Sequence, residues 1–317
     1  MQKLPISFVI PACNDVQGVA RHFEYFAACG EPVELIVVDD CSTDGLEAMV
    51  ANARLPASVQ LRFHRNQENR GAGLSRNAGL DLVGRDYMMF LDADDLLTDS
   101  FFNYLRLSPL ANGADFVLFK YHLSADIAQR QSYTMHRVDN RFFSNISQCS
   151  FPSRTFTLDE IPSVLRTVNF PWNKVYRTEF VRRAGIRFPD YRMHEDILPH
   201  WTSFLTAGRF GILHWAPPLI HHFEAPRSTR ATNYVGDLRL AAFETLLEVH
   251  ARNQAHPLAE MLHPELIAFS ESLVDWMIRT APVDWGRRYG SAAEVFFEQL
   301  GRDGVTRQAT QMGQILA

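Results

Sequence analysis

Short apolar runs alternate with segments of helical spacing along the first hundred residues of the chain. Residues 6–10, 33–38 and 87–91 are the apolar runs, and each has the length typical of a buried strand. Between them, residues 16–29 form a helical stretch that ends before a glycine, and apolar side chains recur at helical spacing over residues 74–82. Strands that alternate with helices in this way predict right-handed crossovers and a mainly parallel α/β sheet with helices on both faces.

The rest of the chain extends this pattern. Residues 59–64 alternate between apolar and polar side chains, which predicts a strand with one solvated face. Residues 116–123 and 211–223 each read as one further strand, and the region after the first of these reads as irregular as far as about residue 157. From residue 236 onward the pattern is helical, with apolar stripes that indicate packing faces.

Composition and charge narrow the class of protein. The 317 residues are 46% hydrophobic and 21% charged, which is ordinary for a globular chain with a sizeable core. The formal net charge of −5 argues against a nucleic-acid partner. The four cysteines form neither a zinc-site spacing nor a C-x-x-C pair. Without a signal-peptide pattern or a long apolar stretch, we expect a cytoplasmic protein, and peripheral contact with the inner face of the cell membrane stays open.

An acidic cluster follows the third apolar run. Asp92 and Asp94 stand two residues apart, so in an extended segment their carboxylates would point to the same side. Two hard oxygen ligands suit Mg²⁺ or Mn²⁺ and leave room for a diphosphate. The alternative is a turn in which Asp95 or Asp99 caps a helix around residues 101–107.

Three more motifs precede this cluster in order. They are Val9-Ile10-Pro11-Ala12-Cys13-Asn14, then Val37-Val38-Asp39-Asp40-Cys41-Ser42-Thr43-Asp44, then Asn69-Arg70-Gly71-Ala72-Gly73-Leu74-Ser75-Arg76-Asn77. Two acidic groups thus lie at the carboxyl ends of strands, where open α/β sheets bind ligands. The ordered set resembles glycosyltransferase family 2, whose members have the GT-A fold and invert the anomeric centre. Cys13 stands where a tyrosine is common in that family.

The resemblance implies a nucleotide site built from the first two motifs. Pro11, Ala12 and Asn14 would shape the floor under the nucleotide base. Asp39 or Asp40 would accept hydrogen bonds from uracil or ribose. The alternative for these two acids is a turn that closes on itself.

The later motifs of the first half would hold the donor phosphates. Asp94, with Asp92, would bind a divalent metal, and Asp92 and Ala93 would contact the donor. Arg76 would approach the donor phosphates or the residues around them, with a surface salt bridge as the alternative. Because Arg76 occupies the place of a third glycine, the two preceding glycines do not form a dinucleotide loop.

The second half adds Pro171-Trp172-Asn173-Lys174-Val175-Tyr176-Arg177 and then His194-Glu195-Asp196. The pairing is similar to a subset of the same family in bacterial cell-surface polysaccharide assembly. There the acidic pair marks the catalytic base, and the match falls on Asp196. Glu195 would contact the acceptor or support Asp196. The alternative is that both acids sit in the first turn of a helix and favour its dipole.

Several side chains receive roles near the acceptor or the diphosphate. The residues assigned there are Trp172, Asn173 and Lys174. Trp172 would stack on a sugar, with packing in the core as the alternative. Lys174 would neutralise the diphosphate, with a solvated side chain as the alternative. His222 is a candidate metal ligand, since of two adjacent histidines on a strand only one can face the site. Arg227 would contact phosphate from a loop.

Together these features predict a GT-A fold with three parts: a nucleotide-sugar-binding half (residues 1–110), an acceptor half with the base (111–233) and a C-terminal helical segment (234–317). The predicted reaction is a single displacement from a UDP-sugar, with Mn²⁺ or Mg²⁺, onto a glycan or lipid-linked acceptor. One alternative is a non-catalytic relative that binds nucleotide-sugar or glycan. The other is a sugar-phosphate nucleotidyltransferase, which would need a glycine-rich phosphate loop after the first strand. The donor sugar, the acceptor linkage and the oligomeric state are not predicted.

Overall fold

The computed structural model describes residues 4–124, 132–133, 135–146, 154–223 and 234–301. Within those ranges the strands are β1 (Ile6–Ala12), β2 (Val33–Asp39), β3 (Val59–Arg65), β4 (Tyr87–Phe90), β5 (Leu96–Leu97), β6 (Phe116–Phe119), β7 (Tyr121–Ser124), β8 (Ser132–Tyr133), β9 (Thr155–Phe156), β10 (Lys174–Arg177), β11 (Phe210–Leu213) and β12 (Ile220–Phe223). The α-helices are α1 (Val16–Cys29), α2 (Leu46–Ala51), α3 (Ala72–Leu80), α4 (Phe101–Arg106), α5 (Arg137–Ile146), α6 (Thr178–Arg183), α7 (Ile197–Thr206), α8 (Ala241–Gln254), α9 (Ala259–Arg279) and α10 (Val283–Gln299).

A central sheet of eight strands organises the molecule, in the order β3-β2-β1-β4-β10-β6-β11-β9. The first four of these strands are mutually parallel. All seven residues of β2 are buried, which requires cover on both faces of the sheet. The predicted α/β sheet with helices on both faces is therefore confirmed.

Strand β10 lies between β4 and β6 and runs antiparallel to both. Strand β11 then pairs parallel with β6, and the short β9 closes the edge. Strands from the second half of the chain thus continue the sheet begun by the first half. The division near residue 110 stays a prediction, because the two halves share one sheet.

The expectation of one strand over residues 116–123 is wrong, and so is that over residues 211–223. The first run divides at Lys120 into β6, in the central sheet, and β7, in a smaller sheet of order β5-β12-β7-β8. The second run divides into β11 and β12 around Pro217 and Pro218. Prolines have no backbone N–H to donate to a ladder, so the chain leaves one sheet there and enters the other.

Helix α5 lies in the region that we expected to be irregular. Its buried face contains Phe142, Phe143 and Ile146, which recur at helical spacing, so the sequence did contain a signal for it. The boundaries of α1 agree with the prediction: Asp15 accepts a hydrogen bond from the Gly18 N–H over 2.9 Å, and Gly30 ends the helix in the left-handed conformation.

The C-terminal helices pack against the second half of the chain. Arg252 Nη1 donates to Thr202 Oγ1 over 3.1 Å, joining α8 to α7, and Arg166 forms a two-pronged ion pair with Glu265 of α9. Met277 is fully buried, as expected for an apolar stripe that serves as a packing face. Of the helices in the described ranges, none has the length and apolar character to cross a bilayer.

Candidate active site

The loops that follow β1, β2 and β4 meet at one edge of the central sheet. Two of these loops hold a non-glycine residue with positive φ: Asn14 at 52° and Cys41 at 63°. His194, in the segment before α7, has a φ of 60° and completes this set among the described residues. Such residues are uncommon and concentrate where surrounding contacts hold a strained backbone at a functional site.

Asn14 joins the loop after β1 to the loop after β2. Its backbone N–H donates to Ser42 Oγ over 2.9 Å, and its Oδ1 accepts from the backbone N–H of Thr43 over 2.8 Å. The carbonyl of Ala12 accepts from the Asp40 N–H over 2.8 Å, while Pro11 is partly exposed. The motif therefore fixes the relative position of two loops at the predicted floor of the nucleotide site.

The acids of the second motif are buried and hydrogen-bonded within the protein. Asp39 has no exposed surface, forms an ion pair with Arg65 and accepts from the Ser42 N–H over 2.8 Å. Neither side chain therefore presents an open surface to uracil or ribose in this structure, since Asp40 is only 3% exposed. The sequence had no signal for Arg65 as the partner of Asp39.

Asp40 organises the third motif. One carboxylate oxygen accepts from Asn66 Nδ2 over 2.7 Å and from the Arg70 N–H over 2.8 Å. The other accepts from the Gly71 N–H over 2.7 Å. These bonds hold residues 66–71 against the end of β2 and so place the start of α3, which carries Arg76.

Three carboxylates converge after β4. Oxygens of Asp92, Asp94 and Asp95 lie within 4.8 Å of one another, the separation at which one cation can reach all three. The carboxylates converge because the segment is a turn, and not the extended segment that we expected. The turn is closed by a 3.1 Å hydrogen bond from the Asp95 N–H to the Asp92 carbonyl. Residues three apart are thereby brought together, so Asp95 joins a set predicted to contain only the first two acids.

Asp95 also links this carboxylate cluster to β12. It is fully buried, and its Oδ1 accepts from His222 Nδ1 over 2.8 Å. Its Oδ2 is buried without a hydrogen-bond partner among the described residues, and burial raises the pKa of Asp95 to about 6. A buried carboxylate oxygen that lacks a partner is costly unless a cation or proton satisfies it.

His222 does not lie where a direct metal ligand was expected. Its ligand nitrogens are outside the group of atoms that converge on one point, and its ring stacks on Trp172 at 4.7 Å. The neighbouring His221 stacks instead on His122 at 5.0 Å. The two adjacent histidines thus face opposite ways, as predicted, but His222 supports Asp95 and does not join the carboxylates.

Helix α1 packs closely against the carboxylate turn. A Cβ atom at Gly18 would collide with the carbonyl oxygen of Ala93, so only glycine allows this approach. His22 is buried, and burial lowers its pKa to about 4, which leaves the ring neutral. Its Nε2 lies 3.0 Å from the Asp92 carbonyl and therefore carries the proton that it donates. Both residues were absent from the sequence-based site.

Arg76 spans the space between the carboxylate cluster and the His194-Glu195-Asp196 motif. Its Nη2 donates to Asp92 Oδ1 over 2.7 Å, and its Nη1 donates to Glu195 Oε1 over 3.0 Å. Its side chain is only 6% exposed, and its guanidinium lies 5.3 Å from the centre of the Phe188 ring. Arg76 therefore contacts the residues around the predicted donor phosphates, and its alternative as a surface salt bridge is wrong because it is buried.

Glu195 rests on α3 at a glycine. A Cβ atom at Gly73 would lie 2.7 Å from Glu195 Cγ, closer than such contacts occur. Gly73 thus serves as the site of close approach between the two halves of the chain, which is a role that motif spacing alone did not suggest. Its absence of a side chain lets Glu195 reach Arg76.

Asp196 directly follows Glu195 and is the N-cap residue of α7. Burial and the neighbouring charge of Glu195 raise the pKa of Asp196 to about 7, while Arg76 opposes the rise. The Asn169 side chain donates a hydrogen bond to the Asp196 carboxylate. A carboxyl group with a pKa near neutrality can both accept and release a proton under ordinary conditions, which is the property of a general base.

Three neighbouring residues assigned to the acceptor or the diphosphate are all buried: Trp172, Asn173 and Lys174. Trp172 is 1% exposed, and its ring packs against Phe170 at 4.3 Å and against His222 at 4.7 Å, so burial leaves it no open surface for a sugar. Lys174 is also 1% exposed, and its Nζ donates to the Phe170 carbonyl and to Asn173 Oδ1, each over 2.8 Å. It is neither solvated nor free to meet a diphosphate.

The amine of Lys174 belongs to an internal polar network. Asp139 of α5 is fully buried, accepting from the Tyr121 hydroxyl over 2.6 Å and from the Val168 N–H over 2.9 Å. Burial lowers the pKa of Lys174 to about 7 and raises the pKa of Asp139 to about 6, and the two charges favour each other. Asp139 was missed in the sequence analysis because the signal for its helix was overlooked. Arg227 lies outside the described residues.

Comparison with known proteins agrees with the family resemblance of the sequence motifs. The model of the family described as glycosyl transferase family 2 matches residues 7–183. The succinoglycan biosynthesis protein ExoO of Rhizobium meliloti is 26% identical over 257 residues, which are 79% of this chain and 70% of that protein. The poly(ribitol-phosphate) beta-N-acetylglucosaminyltransferase TarS of Staphylococcus aureus is 24% identical over 66% of this chain, which spans about a third (34%) of the length of TarS.

Two solved structures share the fold. Residues 1–349 of S. aureus TarS in complex with UDP-GlcNAc align with a TM-score of 0.66 at 17% identity, covering 96% of this chain and 92% of that one. The mannosyltransferase PcManGT of Pyrobaculum calidifontis in complex with GDP-Man and Mn²⁺ aligns with a TM-score of 0.52 at 17% identity, covering 100% and 86%. The expected GT-A fold is thereby confirmed.

Proposed function

The chain belongs to glycosyl transferase family 2 and is a glycosyltransferase, and we propose that it transfers a sugar from a nucleoside diphosphate to an acceptor hydroxyl with inversion. The observation that carries this proposal is the shared guanidinium of Arg76, which places the Asp92 carboxylate and the Glu195-Asp196 pair on two sides of one buried cation. Inverting transfer needs two features close together: a cation that binds the leaving diphosphate and a base that accepts the proton of the attacking hydroxyl. In this proposal Asp92 helps to hold the cation, and the Glu195-Asp196 pair supplies the base.

Asp196 is the proposed base. The acceptor hydroxyl forms a bond to the anomeric carbon as the bond from that carbon to the diphosphate breaks, and its proton passes to the Asp196 carboxylate. A positioned carboxylate contributes roughly 10²- to 10⁴-fold to such a step. Because Glu195 is ion-paired with Arg76, its proposed part is to support Asp196 electrostatically, not to contact the acceptor.

Asp94 and Asp92, with Asp95 behind them, are the proposed holders of Mn²⁺ or Mg²⁺. Their convergence within 4.8 Å suits a divalent cation with oxygen ligands, as does the Asp95 Oδ2, which has no hydrogen-bond partner among the residues that the structure describes. A cation bound there would offset the negative charge that develops on the leaving diphosphate. Arg76 adds a second positive charge from the protein itself, which is oriented before the donor arrives.

The donor proposed is a UDP-sugar. The TarS structure in complex with UDP-GlcNAc shares the fold across 96% of this chain, which supports uracil as the base to test first. In this proposal Pro11, Ala12 and Asn14 form the floor of the nucleotide site, with Ala93 beside it. Asp39 and Asp40 act by holding the loops around the base, since both carboxylates are satisfied by protein donors.

The proposed setting is bacterial polysaccharide or cell-surface glycan assembly, on a glycan or lipid-linked acceptor. The names of ExoO and TarS support this setting. Residues 1–110 would supply the donor site and residues 111–233 the acceptor site. The predicted phosphate contact of Arg227 belongs to the same proposal.

Calorimetry tests the donor site first. UDP, GDP, ADP and CDP would be titrated into the protein with Mn²⁺, with Mg²⁺ and with EDTA, and then UDP-GlcNAc turnover would be followed as UDP release. Metal-dependent binding of UDP together with turnover is the expected result. Metal-dependent binding of another diphosphate would keep the reaction and change the donor. Binding without turnover for any donor and acceptor tried would favour the alternative, a relative that binds nucleotide-sugar without catalysis.

A further inference from the structure

His194 has a backbone conformation that residues other than glycine seldom adopt. Its φ is 60°, in the left-handed region, directly before Glu195 and Asp196. The turn it makes is closed by the Ile197 N–H, which lies 3.4 Å from the His194 carbonyl at the start of α7. The backbone of His194 therefore sets the direction in which the next two side chains leave the turn.

Trp276 of α9 packs against the His194 side chain. The two rings meet edge to face, with centroids 6.2 Å apart and planes at 85°. Burial lowers the pKa of His194 to about 4, and its Nε2 is buried without a hydrogen-bond partner in the described part of the chain. The imidazole is thus a neutral ring held by packing, which is the way in which an aromatic side chain anchors a strained turn.

Trp276 is itself anchored by Arg239. The Arg239 guanidinium lies 4.4 Å from the centre of the indole ring, and the residue is only 1% exposed. Its Nε donates to the Tyr234 carbonyl over 2.7 Å and its Nη1 to Thr280 Oγ1 over 2.8 Å. A buried cation held by fixed hydrogen-bond acceptors gives the indole one position.

We propose that Trp276 is a positioning residue for the reaction: through its contact with His194, the C-terminal helical segment holds the His194 turn so that Asp196 points into the site. The proposal rests on the proposed function in assigning the base to Asp196. It gives the C-terminal helices a role in positioning the proposed base, beyond the packing that their apolar stripes indicate.

Hydrogen exchange tests, without any substrate, whether Trp276 holds the His194 turn in place. Trp276→Ala should speed amide exchange in peptides that cover residues 190–199, and exchange over residues 33–45, at the nucleotide site, should stay unchanged. Trp285→Ala is the matched control, because that tryptophan packs against Arg288 and Tyr289 of its own helix. Unchanged exchange over residues 190–199 in Trp276→Ala would overturn the proposal.

Kinetics tests the catalytic half. In Trp276→Ala the kcat for UDP release from UDP-GlcNAc should fall by about 10²-fold, the cost of misplacing a catalytic group by about 1 Å, with KM for the donor nearly unchanged. Trp276→Phe, which retains an aromatic ring, should recover most of kcat. A loss of donor affinity equal to the loss of kcat would contradict a positioning role.

A second series covers the case in which Trp276→Ala fails to fold. Glycine and asparagine tolerate positive φ, whereas a β-branched residue does not. If the turn is what matters, His194→Gly and His194→Asn should keep more activity than His194→Val. Equal losses in all three would mean that the imidazole itself is needed and would overturn the proposal. If the wild type turns over no nucleotide-sugar, the proposed function fails, while the exchange experiment still decides the role of Trp276.

Discussion

Arg76 Nη1 lies 3.0 Å from Glu195 Oε1, which joins two residues 119 positions apart in the chain. The same guanidinium holds Asp92 with its other terminal nitrogen. A planar fork with fixed donors can satisfy two carboxylates in one orientation only. The acidic groups of the proposed metal site and of the proposed base are therefore set in place by one side chain.

Two substitutions of Arg76 should have different effects on stability and on turnover. Arg76→Met leaves Asp92 and Glu195 without their buried partner and should cost about 3–5 kcal/mol of stability. Arg76→Lys keeps the charge but cannot donate to both acids, so we expect a smaller fall in melting temperature and a loss of turnover of about 10²-fold. Arg183→Lys, at an ion pair whose arginine side chain is 59% exposed, is the control and should change little. Full activity in Arg76→Lys would contradict the proposed bridge.

Asp94 and Asp196 should fail in different ways. Asp94→Asn removes a ligand from the carboxylate cluster, so metal-dependent binding of UDP should be lost. Asp196→Asn cannot accept the acceptor proton, so it should bind UDP as the wild type does and lose roughly 10²- to 10⁴-fold in turnover. Calorimetry and UDP release measure the two properties. Equal losses of UDP affinity in both variants would disprove this division between metal site and base.

Turnover should depend on pH through Asp196. Burial and Glu195 raise the pKa of Asp196 to about 7, and only the ionised carboxylate accepts a proton. The value of kcat/KM should therefore be highest above that pH and fall about tenfold for each unit below it. Arg76 lowers this pKa, and a lysine at that position would make a weaker contact. In Arg76→Lys the fall of kcat/KM should therefore begin at a higher pH. A flat profile through neutrality would exclude Asp196 as the titrating base.

Gly73 gives a test of the close approach between α3 and the base motif. Gly73→Ala places a Cβ atom 2.7 Å from Glu195 Cγ, so Glu195 must shift and its contact with Arg76 must lengthen. We expect a cost of about 1–3 kcal/mol and a fall in kcat. Gly290→Ala is the matched control in α10, where a Cβ meets nothing within 4 Å, and it should stabilise the protein by about 0.5–1 kcal/mol. Activity equal to the wild type in Gly73→Ala would show that Glu195 tolerates displacement.

Much of the fold could be predicted because the hydrophobic pattern of each segment matches the burial of that segment in the structure. The run that became β2 is buried along its whole length, and α1 begins and ends at residues with clear capping chemistry. The prediction failed where one apolar run serves two sheets, as in β6 and β7. Hydrophobicity marks a segment as buried, but the ladder that it joins depends on partners far away in the chain.

The site could be predicted in part for a similar reason. Motif order and acid spacing predicted Asp92, Asp94 and Asp196 as site residues. The structure brings Asp92 and Glu195, the neighbour of Asp196, to the two terminal nitrogens of Arg76. Trp172 and Lys174 were assigned by residue type, and the structure buries both of them. Residue type gives the chemistry that a side chain can perform, whereas burial decides whether a ligand can reach it.

The antiparallel strand β10 has a consequence for how the chain can be made and divided. Its hydrogen bonds cover the open side of β4, yet its residues 174–177 are synthesised long after β1 to β4. A nascent chain, or a fragment that stops near residue 110, would carry an exposed strand edge that can pair with another copy. The first half of the sheet should therefore aggregate when expressed alone, and the lifetime of this vulnerable intermediate on the ribosome is set by the translation of residues 111–177.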